Sequence, residues 1–344
     1  MKKFLAVATG ALILGTCALT ACNTDNDKGA DDEFKGQYTE ITTEELTEKL
    51  NALTPEKMFG DTAEKNWSFG FKLTADVDVE ADLKTVRGEK ELTFVSGEIS
   101  DESTLLAKLT VADGDTPLGN FSLKARNSNK IEGELKKSEV LGMEKDIKLD
   151  YNINAYADDQ YLYFQIPDMS GLPVDVAPEG KYKASLGYIV SSVTGLLPFT
   201  TALAEGGEGA ADFLTEYNLK AFADDNDGLK IKVSADKQSL YAILEKTVGM
   251  TKAEVDEMVT LNEFAVNLYF ETAENGSFEK AGLTVDIKGN LNIKEGAFGG
   301  APALSGPVCV DADILIEKYD GEIVMPNPEE LEEYVDITSS DGNE

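Results

Sequence analysis

From Trp67 to Leu83 the chain alternates without a break. Trp67, Phe69, Phe71, Leu73, Ala75, Val77, Val79, Ala81 and Leu83 are apolar, and every residue between them is polar, charged or glycine. Period two is the side-chain repeat of an extended strand, so one face of this segment is apolar and the other is wet. As one strand it would run for roughly 55 Å, far beyond the usual length, and a strongly curved sheet accommodates that better than a flat sandwich. The other reading is two strands joined by a bend.

The alternation recurs along the chain. It is carried by Leu105, Ala107, Leu109 and Val111; by Phe121, Leu123 and Ala125; by Ile147, Leu149, Tyr151, Ile153 and Ala155; and by Leu162, Phe164 and Ile166. Later come Leu229, Ile231 and Val233; Phe264, Val266, Leu268 and Phe270; Leu283, Val285 and Ile287; and Val308, Val310, Ala312, Ile314 and Ile316. Asp113-Gly114, Asp158-Asp159, Asp227-Gly228, Asn275-Gly276 and Asp320-Gly321 supply turn chemistry between many of them. The pattern predicts an antiparallel meander of roughly ten strands.

A one-faced sheet needs a cover. Thr42 and Glu45 form a capping box ahead of Leu46, Leu50 and Leu53, and Thr251 and Glu254 form another ahead of Val255, Met258 and Val259. Leu240, Ile243 and Leu244 make a short helical stripe. Leu186, Ile189, Val190, Val193, Leu196 and Leu197 keep helical spacing within an uncharged stretch, Ala184–Ala204. Its Pro198, hydroxyl residues and two-faced pattern fit a buried or cavity-lining helix better than a membrane span. Residues 204–210 read as a glycine-rich connection. The expected fold is α+β: a long curved antiparallel sheet, a half-open β-barrel, with helices over its concave apolar face. Trp67, Phe69, Phe71, Phe121, Phe164, Phe264 and Phe270, with Ile189, Val193 and Leu196 from the helix, are candidates to line a cavity there. The competing reading is that they fill a core.

Composition removes several kinds of chemistry. The formal net charge is −33, which opposes nucleic-acid binding. With no histidine, Ser-His-Asp, Cys-His and histidine-zinc chemistry are absent. No GxSxG, phosphate loop or SxxK set is present, so no enzyme activity, cofactor or metal site is expected. Asp224-Asp225-Asn226-Asp227-Gly228 resembles calcium-loop material, but Ala223 and Ser234 occupy two ligand positions, and a hairpin turn is the better reading. Asp76, Asp78, Glu80 and Asp82 form a carboxylate row, expected to be solvated and balanced by Lys and Arg on neighbouring strands.

The N-terminus opens Met-Lys-Lys and continues with a short apolar run ending Leu19-Thr20-Ala21-Cys22. It resembles a bacterial lipoprotein signal. That resemblance implies acylation at Cys22 within the lipobox Leu19, Thr20 and Ala21, cleavage before it, and a lipid anchor on the extracytoplasmic side of the cell membrane. Cys17 would leave with the signal and Cys22 would carry lipid, so no intrachain disulfide is expected for Cys309. The acidic residues after Cys22 read as a disordered tether. The expected organisation is a signal at 1–21, a tether at 22–40, one sheet-helix domain at 41–336 and an acidic tail at 337–344.

The order of lipobox, tether, leading helix and one-faced sheet interrupted by apolar helices is similar to the LolA-like superfamily, which includes the LppX- and LprG-type lipoproteins. Local echoes are Asp158-Asp159-Gln160-Tyr161-Leu162-Tyr163-Phe164 and Tyr319-Asp320-Gly321-Glu322-Ile323-Val324-Met325-Pro326. The resemblance implies a membrane-anchored, non-catalytic protein that binds lipid or another apolar ligand between sheet and helices. Two other functions are compatible with the residues: an envelope interaction or sensor module with a filled core, and an extracytoplasmic hydrolase.

Overall fold

The computed structural model describes residues 34–53, 55–60, 66–87, 89–112, 120–169, 178–185, 207–226, 228–295 and 303–338. The strands are β1 (Thr39–Ile41), β2 (Asn66–Arg87), β3 (Lys90–Ala112), β4 (Asn120–Leu135), β5 (Ile147–Ala157), β6 (Tyr161–Ile166), β7 (Gly180–Ser185), β8 (Lys220–Asp224), β9 (Lys230–Ala235), β10 (Val259–Thr272), β11 (Phe278–Ile293), β12 (Leu304–Lys318) and β13 (Val335–Asp336). All 13 join one curved sheet in the order β1-β8-β9-β10-β11-β12-β2-β3-β4-β5-β6-β7-β13. It does not close, since β1 and β13 lie at opposite edges. The chain runs from β2 outward to β7, crosses to the far side, and returns from β8 to place β12 beside β2. Six helices accompany the sheet among the described residues, so the class is mixed α+β.

The alternation at Trp67–Leu83 is one unbroken strand of 22 residues, paired with β12 on one side and the 23-residue β3 on the other. The register holds from Asn66↔Ala112 to Leu83↔Val95, then shifts between Leu83 and Lys84. Ser138 stabilises this bulge: its buried hydroxyl lies 2.9 Å from the Thr93 carbonyl and 2.8 Å from that of Phe94, and accepts the Leu141 N–H.

Register continues the apolar side of β2 across the sheet. Val77 pairs with Ala312, Ala312 with Val285, Val285 with Val266, and Val266 with Ala235. In the other direction Leu73 pairs with Leu105, and Ala107 with Ala125, which pairs with Ala157. Cross-strand apolar pairs of this kind are the unit of sheet stabilisation. Val77, Val285, Val310 and Ala312 are buried together at the centre.

The helices are α1 (Thr43–Asn51), α2 (Pro55–Phe59), α3 (Gly207–Glu216), α4 (Lys237–Val248), α5 (Lys252–Met258) and α6 (Pro328–Leu331). Both capping boxes form: Thr42 with Glu45 on α1, and Thr251 with Glu254 on α5. Leu46 of α1 and Leu214 of α3 bury themselves on Ala221 and Ile231, which fills the β8–β9 end of the apolar face. α3 begins at Gly207, so the stretch read as a connection already contributes to a helix. The helix expected at Leu186–Leu197 lies outside the described residues. Among the described residues, no helix is long and apolar enough to cross a membrane.

Two terminal segments lie on the opposite, polar face. Phe34 is 3% exposed and stacks on Tyr269 at 4.7 Å, inside the stretch read as tether. Gly282 makes room for it, because a Cβ there would sit 2.4 Å from the Phe34 ring. At the other terminus, the Tyr319 N–H bonds to the Gly70 carbonyl on β2, and Tyr334 packs edge-on against Tyr163 on β6. Asp320-Gly321 therefore opens this strap and not a hairpin. Asp158 does make its hairpin turn, accepting the Gln160 and Tyr161 N–H groups at 2.8 and 2.9 Å. Asn275-Gly276 does the same with Gly276 at φ +83°. Asp224 accepts the Asn226 N–H in the β8–β9 turn, in line with the hairpin reading.

Cys309 is buried and disulfide-bonded, against the expectation that it would have no cysteine partner. The partner cysteine lies outside the described residues.

Candidate functional site

The sequence-predicted aromatic residues share the apolar face by register but separate into groups. Trp67 pairs with Val111, which pairs with Phe121, so these three form one cross-strand row. Phe69 packs edge-on against Phe59 of α2 at 4.8 Å and lies 6.0 Å from Phe278; Phe270 lies 5.9 Å from Phe278. These four rings close the space between α2 and the sheet, so Phe69 and Phe270 belong to a packed aromatic cluster. Phe71, paired with Ala107 and Lys318, and Phe264, paired with Ile287, are half-buried. Phe164 lies 6.0 Å from Tyr182 on the β6–β7 side, remote in strand order from the cluster. Ile189, Val193, Leu196 and the lipobox residues Leu19, Thr20, Ala21 and Cys22 lie outside the described residues. Phe59 and Phe278 were not foreseen. Phe59 sits on a helix of one turn, and Phe278 begins a strand outside the alternating stretch.

The apolar face is interrupted on β3 and β4. Asp101 occupies the position between Val77 and Ile131, and Ser103 the position between Ala75 and Asn129. Asn127 stands opposite Leu105 and Ala155. Ser103 Oγ is 3.2 Å from Asn127 Oδ1 and 3.1 Å from Asn129 Oδ1, and the Asn127 amide also donates to Asn129 Oδ1. Asp101 Oδ1 is buried with no hydrogen-bond partner. Burial, followed by the nearby charge of Asp76, raises the Asp101 pKa above the ordinary carboxylate range. Leaving such an oxygen unpartnered costs about 1–3 kcal/mol, more when ionised. Nothing in the local sequence signalled this island, because its members meet only through strand pairing.

The polar face has its own surprise. The carboxylate row on β2 meets further carboxylates, and not the lysines and arginines expected. Asp76 stands opposite Asp313 and Glu102, Asp78 opposite Asp311, and Asp311 opposite Asp286. Burial leads the causes that raise the pKa of Asp76, Asp286 and Asp311, with neighbouring carboxylates adding to it. Lys288 lies 3.1 Å from Asp286 and 3.0 Å from Glu263, at the edge of this group. Among the described residues, no cluster of ligating side chains has a metal-site arrangement. A shallow cavity of ≈ 210 Å³ lies beside it, lined in part by Glu80, Asp82, Lys288 and Asn290.

No protein-family model matches this chain, and no curated protein matches it.

Proposed function

We propose that this chain is a lipoprotein anchored through Cys22 that holds a lipid or other apolar ligand against the apolar face of its sheet, without catalysis. The observation that supports this most is the apolar register that extends from β9 to β6, broken by the polar positions on β3 and β4, on a sheet that does not close. The described helices pack mainly at the β8–β11 end. In this reading the segment around Ile189, Val193 and Leu196 forms the cover over the remainder. The likeness to LolA-like lipoproteins agrees with this architecture.

The tether in this account runs from Cys22 to Phe34, which random-coil scaling puts at roughly 17–20 Å. Two acyl chains on the anchor would meet the requirement for stable attachment. Acylation consumes the Cys22 thiol, and processing removes Cys17. In this reading the Cys309 disulfide belongs to the unprocessed chain, because cleavage and acylation leave Cys309 no cysteine partner. Mass spectrometry of the N-terminal peptide separates the processed from the unprocessed chain. An acylated residue 22 supports the anchor, as does loss of membrane retention in Cys22→Ala. A Cys22–Cys309 crosslinked peptide, or unchanged retention of Cys22→Ala, contradicts it.

Ligand binding is tested by titrating the processed chain, carrying Cys22→Ser, with a fluorescent fatty acid. Saturable uptake supports the reading. A second reading, a filled-core interaction module, draws on the Phe59–Phe69–Phe270–Phe278 cluster and is supported if no uptake occurs.

A further inference from the structure

Asp101, Ser103, Asn127 and Asn129 stand where the face is otherwise apolar, ringed by Ala75, Val77, Leu105, Ile131, Ile153 and Ala155. A polar network kept only for structure satisfies itself. Here the Ser103 hydroxyl and the Asn127 amide donate within the network, and both amide oxygens accept. Asp101 does not: its Oδ1 is withdrawn from solvent and accepts no hydrogen bond. The diagonal from Asp101 to Asn129 is about 7–8 Å, so one small polar group lying on the face reaches both. What the island offers a ligand is thus a carboxylate acceptor beside a fixed amide, within walls that suit an alkyl chain. An anionic headgroup would be repelled by Asp101, a neutral one would leave its charge uncompensated, and a cation would neutralise it.

We propose that this island is the headgroup subsite for a long-chain primary amine, with the ammonium on Asp101 and the alkyl chain along the flanking apolar strands. The assignment rests on the reading that this face holds an apolar chain. It goes further in naming the ligand's charge and the residue that selects it.

The test is calorimetric titration of the processed chain, carrying Cys22→Ser, with dodecylamine, dodecanol and dodecanoate at neutral pH. Dodecylamine should bind about ten-fold or more tightly than either of the others. Asp101→Asn should bring dodecylamine to the level of dodecanol and leave dodecanol unchanged; Asp101→Ser is the second variant if the first fails to fold. Because the whole chain is acidic, Asp311→Asn on the opposite face is the control, and it should shift dodecylamine affinity by less than about two-fold. Equal losses in the Asp101 and Asp311 variants would overturn the subsite in favour of general charge attraction. Binding of all three chains without an amine preference overturns the subsite and leaves the apolar-ligand reading intact. Binding of none overturns both.

Discussion

Neutralising Asp76 should stabilise the protein. Asp76 has like charges directly opposite on both sides, Asp313 on β12 and Glu102 on β3. Each such cross-strand pair costs about 0.2–1 kcal/mol, so removing both gives roughly 0.4–2 kcal/mol. The Glu102 contribution falls toward the lower end, because Lys130 stands opposite Glu102 on its far side. A gain of about 1 kcal/mol in Asp76→Asn at pH 7 is the central expectation, or roughly 2 °C in melting temperature for a domain of this size. The pH dependence has a definite sign. The native pKa of Asp76 is raised, chiefly by burial and then by Asp78 and Glu102, so the native state holds the proton more tightly than the unfolded chain. The cost of its charge is therefore fully present above the native pKa and is lost as pH falls through that value toward the unfolded one. The advantage of Asp76→Asn should shrink between pH 7 and pH 4. It should also shrink in about 1 M salt, where the screening length drops to roughly 3 Å. Urea denaturation of both proteins across these conditions gives the answer. A variant no more stable than the parent at pH 7, or an advantage indifferent to pH, would refute the like-charge account.

Three other substitutions probe separate parts of the fold. Thr85→Val removes a buried hydroxyl with no hydrogen-bond partner while keeping its shape, and should raise stability by about 1 kcal/mol in the same denaturation assay. Ser138→Ala deletes the hydroxyl that bonds the bulge carbonyls of Thr93 and Phe94, and should lower stability by about 1–3 kcal/mol. Gly282→Ala puts a Cβ where the Phe34 ring lies, so limited proteolysis should cut near residues 34–38 faster while the sheet's far-ultraviolet signal stays unchanged.

What could be read from the sequence was whatever repeats locally. The alternation at Trp67–Leu83 announced β2, and the capping boxes at Thr42 and Thr251 announced α1 and α5, because those signals lie within a few residues. The first half of β3 was not legible. Ser96, Gly97, Glu98, Asp101, Glu102 and Ser103 put polar residues on both faces, and only pairing with β2 holds them extended. β8 depends on the small buried residues Ala221 and Ala223, Ala221 lying in the core made with α1 and α3, and its own sequence alternates too weakly to stand out. The candidate site divides in the same way. Its aromatic residues were visible as members of one face, but not that Phe69 and Phe270 would close on Phe278 while Phe164 lay elsewhere. The Asp101 island and the meeting of Asp76 with Asp313 depend on the register between strands far apart in the chain, which no local pattern encodes.

The central question is whether the apolar face holds a ligand. Native mass spectrometry of the processed chain purified without detergent, followed by organic extraction, addresses this most directly. The expected result is a mass above that of the polypeptide and an extractable molecule with an alkyl chain. A clean polypeptide mass, with nothing extracted and no alkyl chain taken up on addition, would contradict it and leave the filled-core reading in its place.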